Sequence, residues 1–518
     1  MRKTLITLAL AALPALVFSA CNGSAGGGSG INPSGATVAP QSGVHRADNG
    51  PQDLHSGGAT FPAYAYNLGN QPVGTWNESQ AKPPPGSLFY SYGGTGTIYY
   101  CLTGSGTGRK EFTGHVHVGI DGCNPYGPGQ TVNGFGARGD PLDFVGSDVP
   151  LFSSGYTSEP DCCTSGTYYL ENENSCAETP KPPSCTDQGW PFEVPTIGGP
   201  IVYAYQTADD LLPASAPIQL STWSYCAIAN GTISSWNDPA IVADNGGNSP
   251  TGSGGVSSPA ETITFVFRED GSGTSYWYQN HLSLACNPSS WPAPYNAPPY
   301  QSSSRSAAWP YGTSLNWQGP GGNSGCNPGN CPANSNFIGV SLNPGVIAQI
   351  QSTAWSTGYV EGAWAATATG TPIGQAVLEN SSGNFESPTS SAAIAAGLAG
   401  VTAAHIQYGE GADGNPLGSS TPWCQLVINP ADFQDPTESG AYPIVAISYF
   451  LFYGLNPNSD TVGGHYADKV TLLKYLASTK SNKVVDALPE YYALPTGIHK
   501  AILDALKGNK KQSACLYD

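Results

Sequence analysis

The sequence predicts an α/β fold with largely parallel sheets, and three observations carry that prediction. Short apolar runs at 98–102, 201–205 and 263–267 read as buried strands. Stretches with helical patterning alternate with them, at 275–282, 344–351, 390–406, 442–453 and 498–506. Strands interleaved with helices build parallel sheets through crossover connections. The joins are rich in turn formers: 66 of the 518 residues are glycine and 45 are proline. That composition implies long ordered loops between modest elements. A chain of this length can bury more than one core.

The first elements concern export. Arg2 and Lys3 precede an apolar stretch at 5–17, too short and wrongly flanked for a membrane span. Residues 1–20 therefore read as a signal peptide. The stretch ends Val17-Phe18-Ser19-Ala20-Cys21. An apolar residue, two small residues and then cysteine resemble a bacterial lipoprotein box. Cys21 is the expected lipidation site, with plain secretion as the alternative. Residues 21–52 are Gly/Ser-rich and polar, and read as a flexible tether.

Thirteen cysteines are present. Setting Cys21 apart leaves an even number, which in an exported chain argues for disulfides. Cys326 and Cys331 read as a disulfide, since no second Cys or His pair follows at zinc spacing. Cys101 and Cys123 are paired by proximity. Cys162, Cys163, Cys176 and Cys185 staple a Pro/Ser/Thr-rich loop, with their pairing left open. No metal site and no cofactor are expected. Two stretches, 155–190 and 287–336, lack periodicity and read as surface insertions.

Only 10% of residues are charged, and the net charge is −18. Such a surface does not attract nucleic acid or anionic lipid in bulk. It also repels a small anion, with screening beyond about 8–10 Å. An anion site here must work through local donors.

Four glycine-flanked polar segments offer such donors. The richest is Phe267-Arg268-Glu269-Asp270-Gly271-Ser272-Gly273-Thr274, between a strand-like and a helical run. It places a planar cation, hydroxyls and backbone N–H groups on a strand-to-helix turn, where the helix dipole favours an anion. The others are Gly57-Gly58-Ala59-Thr60-Phe61-Pro62, Gly104-Ser105-Gly106-Thr107-Gly108-Arg109-Lys110 and Val145-Gly146-Ser147-Asp148-Val149-Pro150-Leu151. Singly, each reads as a helix cap. The glycines of the second do not fit a dinucleotide loop.

Together and in this order, the segments resemble the phosphate-binding proteins of bacterial phosphate ABC transporters (PstS-like), most of all the DING subgroup. Tyr100 through Phe112, Val194 through Val202, Leu220 through Ile241, Gly358-Tyr-Val-Glu361, Tyr442-Pro-Ile444 and Leu494-Pro495 add to the likeness. The resemblance runs from about residue 54 to the end, apart from the two insertions. It implies a two-lobed periplasmic-binding-protein-like (type II) Venus flytrap with ligand between the lobes. One lobe would be 53–200 plus 366–518, and the other 201–365. The chain would cross near 199–205 and 358–365, allowing hinge closure.

The resemblance also implies roles. Thr60 and the Phe61 N–H, Ser105, and the Ser272-Gly273-Thr274 turn would donate to phosphate. Arg268 would offer its fork to two oxygens, held by Asp270. Asp148 would accept the proton that phosphate carries and sulfate lacks; otherwise it is a helix N-cap. Cys226–Cys286 and Cys424–Cys515 would be disulfides. The partners implied are inorganic phosphate and ABC permease subunits, with a lipid anchor in the membrane and no nucleic acid. The alternatives are a phosphomonoesterase-like enzyme, or a surface or assembly protein. In the latter, the Tyr- and Pro-rich stretch 291–317 would be a sticky exposed surface. Against the enzyme stands the want of a base for Ser105 or Ser272. His115 and His117 read as surface residues.

Overall fold

In this computed structural model the described residues are 54–68, 83–114, 143–150, 192–207, 216–251, 261–289, 291–302, 305–322, 335–407, 424–452, 465–508 and 514–516. The chain divides into residues 1–46 and 47–518, and every described residue belongs to the second. The signal peptide, the tether and Cys21 lie outside the described residues. So do His115, His117, Cys123, Cys162, Cys163, Cys176, Cys185, Cys326 and Cys331.

The chain opens with β1 (Leu54–Gly58), α1 (Ala63–Asn67), α2 (Leu88–Ser91), β2 (Ile98–Leu102), α3 (Ser105–Gly114) and β3 (Phe144–Ser147). Next come β4 (Phe192–Gln206), β5 (Gln219–Leu220), α4 (Thr222–Ala229), α5 (Pro239–Asp244), β6 (Thr264–Arg268) and α6 (Gly273–Ala285). They are followed by β7 (Phe337–Val340), α7 (Leu342–Ser352), β8 (Ser356–Glu361), α8 (Gly362–Ala366), β9 (Ile373–Gln375), β10 (Val377–Glu379) and β11 (Phe385–Glu386). The last part holds α9 (Ser391–Gly397), β12 (Ile406–Gln407), β13 (Val427–Ile428), β14 (Val445–Phe452), α10 (Tyr466–Leu476), α11 (Thr479–Val485), β15 (Tyr492–Ala493) and α12 (Thr496–Lys507).

The main sheet runs β2-β1-β3-β14-β4-β8-β6-β7. On one side β1 pairs in parallel with β2 and β3. On the other, β6 pairs in parallel with β7 and β8. The two halves share β4. Its first part pairs with β14 and β15, and its second part with β8 and β9. All fifteen residues of β4 are buried. This is an α/β, two-lobed architecture in which one long strand passes from half to half.

Two expected helices differ. The 442–453 run is mostly the strand β14, whose Val-Ala-Ile-Ser-Tyr-Phe-Leu-Phe residues are all buried between β3 and β4. A strand covered on both faces loses its period-2 pattern, so it resembled a buried helix. The 390–406 helix stops at Gly397, and the chain reaches β12 through a 3-10 turn at Ala403–His405.

The 287–336 stretch differs more. Several of its aromatic residues are core although much of the stretch is exposed: Trp309 is 1% exposed, Trp317 3% and Tyr300 7%. Trp317 lies against the rings of Phe265, Phe267, Tyr278 and Tyr359. Gln279 of α6 donates to the carbonyls of Ser314 and Asn316 and accepts from the Gln318 N–H. The segment therefore braces α6 and β6 from behind. Composition alone made it look like a loop, because its apolar residues follow no period.

Cys226–Cys286 and Cys424–Cys515 are disulfides with Cα–Cα distances of 5.7 and 5.2 Å. Cys101 is disulfide-bonded, and its expected partner lies outside the described residues. Among the described residues, no helix is long and apolar enough to cross a membrane.

Candidate functional site

Parallel strands deliver loops at their carboxyl ends, where ligands of open α/β sheets bind. Five such turns meet here. Thr60 follows β1, Ser105 follows β2 at the start of α3, and Asp148 follows β3. From the other half, Arg268 ends β6, Ser272 caps α6, and Asn343 follows β7 in the first turn of α7. Thr60, Ser105, Asp148, Arg268, Ser272, Thr274 and Asn343 are each 2% exposed or less.

The turns touch directly. The Gly106 N–H donates to the Gly271 carbonyl at 2.8 Å. Gly104 has φ +83°, and a Cβ there would lie 2.7 Å from Asp270 Oδ2. A Cβ at Gly273 would lie 2.6 Å from Asp148 Oδ2 and 2.7 Å from Ser105 Oγ. Only glycine lets these backbones approach so closely.

Arg268 is held on every side. Its Nε and Nη2 donate to Asp270 at 2.6 and 2.5 Å. Nη1 donates to Thr60 Oγ1 at 3.1 Å and to Asn343 Oδ1 at 2.8 Å. Burial works against the Asp270 charge, but the Arg268 guanidinium and the Leu342 N–H hold its carboxyl below the ordinary value. Asp270 thus grips the fork with both oxygens, and the pair is largely buried rather than exposed.

Asp148 is the electrostatic opposite. Burial pushes its carboxyl up to about 7, against the pull of the Ser448 and Ser105 hydroxyls and the Arg268 charge. Ser105 Oγ donates to Oδ2 at 2.9 Å, and the Asp148 N–H points to the same Oγ at 3.2 Å. Trp277 Nε1 donates to the Asp148 carbonyl at 2.6 Å. The Ser448 hydroxyl lies close enough to the carboxyl to lower it, but its hydrogen-bond geometry favours the Ser147 carbonyl, at 3.5 Å. Asp148 Oδ1 is left without a partner, as are Thr274 Oγ1 and Asn343 Nδ2. A buried acceptor, a hydroxyl and an amide donor without partners are costly unless a ligand satisfies them.

Every residue proposed from the sequence lies in this cluster, with two refinements. The Ser272 N–H is committed to the Leu315 carbonyl at 3.0 Å, so its free contribution is the hydroxyl. Phe61 is fully buried, its carbonyl accepting from Tyr491 Oη at 2.8 Å. Three residues were missed. Asn343 opens Asn-Pro-Gly after a strand, the same signal as the other turns. Arg109 donates to the carbonyls of Val149 and Pro150, bracing the Asp148 turn. Trp364 donates to the Thr60 carbonyl at 2.8 Å, and nothing in the sequence marks it. Among the described residues, no group of three or more His, Cys, Asp or Glu could hold a metal.

A two-lobed α/β fold whose strand ends converge on a buried cation and a near-neutral carboxyl defines a solute-binding class of protein. Residues 185–471, more than half of the chain, match the PBP superfamily domain. The chain belongs to that superfamily. It is 27% identical over 381 residues to the phosphate-binding protein PstS2 of Mycobacterium bovis, covering 71% of this chain and 79% of that one. A phosphate-binding protein from Stenotrophomonas maltophilia shares the fold, with TM-score 0.51, 17% identity, and coverage of 87% of this chain and 92% of that one. So does a DING protein, with TM-score 0.51, 16% identity, and coverage of 89% and 96%.

Proposed function

We propose that this protein captures inorganic phosphate outside the cytoplasm and hands it to an ABC importer. One observation carries the reading: Asp148 Oδ1, a buried acceptor without a partner, in the same cluster as Arg268 and the α6 turn. Arg268 and the hydroxyls of Thr60, Ser105, Ser272 and Thr274 favour a tetrahedral anion. Asp148 favours one that still carries a proton. The names of the relatives, PstS2 among them, support phosphate as that anion.

The lobes in this reading are 53–200 plus 366–518 and 201–365, closing about β4 and β8. Closure brings Arg268 to Thr60 and Gly106 to Gly271. The disulfides at Cys226–Cys286 and Cys424–Cys515 support an oxidising compartment. The lipoprotein-like context of Cys21 supports a lipid anchor in this reading, with plain secretion as the alternative.

Calorimetry of the purified, phosphate-stripped protein tests the reading. At pH 8 and above, where Asp148 is ionised, strong heat with phosphate and far less with sulfate is the expected result; no phosphate binding overturns it. A second reading has one observation in its favour. Ser105 donates to a carboxyl poised at about 7, the arrangement of a nucleophile and a base. Turnover of a phosphomonoester, lost in Ser105→Ala, would favour an esterase; its absence supports binding alone.

A further inference from the structure

Asp148 is fixed by few bonds. Its N–H and Oδ2 both go to Ser105 Oγ, and its carbonyl goes to Trp277. Ser105 is itself a candidate ligand contact, so its hydroxyl has two duties. Trp277 has no place in the candidate ligand set. It is fully buried, one turn into α6, the helix whose first turn carries Ser272, Gly273 and Thr274. Its indole N–H donates at 2.6 Å from the β6–α6 side of the sheet to the end of β3 on the other.

We propose that Trp277 is a positioning residue for the choice of phosphate over sulfate, acting through the Asp148 main chain. The inference rests on the phosphate reading above. Selection by one hydrogen bond requires the acceptor to sit within a few tenths of an ångström of its place. A carboxylate free to swing away would lose the phosphate proton and would no longer oppose sulfate. The Trp277 bond fixes the main chain from which the carboxylate projects, while Ser105 holds its Oδ2. It also ties the acceptor to the helix that supplies the donors, so one movement of α6 sets both.

The indole does a second and separable thing. Its ring packs against Phe433, with centroids 5.1 Å apart. Trp277→Phe removes the N–H and keeps a ring. Phe433→Leu disturbs the packing and keeps the N–H.

Phosphate and sulfate affinities are measured by calorimetry on the full chain and both variants, with melting curves alongside. The phosphate-to-sulfate affinity ratio of Trp277→Phe should fall about tenfold or more. Phe433→Leu should lower the melting temperature and keep the ratio. A Trp277→Phe ratio within about twofold of the unsubstituted protein overturns the inference and leaves the phosphate reading intact. So does an equal loss of ratio in Phe433→Leu, which would make packing the cause. No phosphate binding by the unsubstituted protein overturns both.

If Trp277→Phe does not fold, indole N–H exchange in the unsubstituted protein carries the test. Phosphate should slow the exchange of an indole proton that sulfate leaves unchanged and that persists in Trp364→Phe, which removes the indole on the Thr60 carbonyl. No indole proton responding to phosphate overturns the inference.

Discussion

Arg268 and Asp148 are both about 1% exposed, yet their surroundings treat charge in opposite ways. Arg268 has a carboxylate, a hydroxyl and an amide oxygen around it. Asp148 has two hydroxyls nearby, one of them bonded elsewhere, and its carboxyl is held at about 7 mainly by burial. The sign of its pH dependence follows. Above about 7 the unliganded carboxyl is charged, and it repels sulfate, which only accepts hydrogen bonds. Below about 7 it is protonated and can donate to sulfate. Sulfate affinity should therefore be flat at acid pH and fall about tenfold per unit above 7. Titrations between pH 5.5 and 8.5 check this. Asp148→Asn should abolish the slope and narrow the phosphate–sulfate gap at pH 8 by about tenfold, ~1.4 kcal/mol. An unchanged gap would remove Asp148 from the selection. Asn343 was not foreseen, but it shares Arg268 with Thr60 and keeps an amide N–H to spare. Asn343→Ala should weaken phosphate binding by ~1.5 kcal/mol or more, the usual size of a hydrogen bond to a charged group, while the melting temperature moves little.

At the scale of elements, each donor stands at a strand end, and the stiffness of the strands and helices behind it decides how well it is aimed. For β6 and α6 that backing comes from the 305–322 segment. Trp317 lies against four rings of β6, α6 and β8, and the Leu315 carbonyl takes the Ser272 N–H. Trp317→Ala should cost about 3–5 kcal/mol of stability, as expected for a buried Trp truncation. Chemical denaturation measures it. A loss below ~1 kcal/mol would return the segment to the status of a surface insertion. Among strands, β14 shows why pattern alone misled. Its eight residues are all buried, and what surrounds them lies far off in sequence: β3 and β4 pair along its edges, and Tyr66 and Phe89 pack on Phe450.

Across the whole molecule, β4 and β8 join the halves, and two buried carboxyls whose ionisation is disfavoured sit beside them. Glu490 is pushed up to about 8 by burial, against a hydrogen bond from the Gln375 amide. Glu361, fully buried at the end of β8, is raised well above its ordinary value by burial and by the nearby Glu490. A raised carboxyl stabilises the fold fully at acid pH, and that contribution is lost as pH rises through its folded value. The melting temperature should thus fall between pH 5 and 9. Glu490→Gln should flatten the decline near pH 8 and melt higher than the unsubstituted protein at pH 9. An identical pH profile would show that Glu490 does not titrate at this join.

Much was legible in the chain because the site is built from local signals. A glycine, a hydroxyl and a helix start within a few residues are written contiguously, which is why the segments holding Thr60, Ser105, Asp148, Arg268 and 272–274 stood out, although their roles came from the resemblance. The Cys226–Cys286 and Cys424–Cys515 pairs were legible only through resemblance. The sequence by itself determined the alternation of strands and helices, the donor turns and the absence of bulk attraction for an anion. The tertiary structure alone decided that those turns meet, that Trp277 reaches the Asp148 carbonyl, and that Trp309 and Trp317 of the aromatic insertion are core. The physical reason is range. Turn chemistry and capping act over a few residues, whereas burial depends on distant segments: the rings that hide Trp317 lie about forty to fifty residues away, and Trp277 and Ser448 beside Asp148, whose carboxyl burial sets at about 7, lie more than a hundred away.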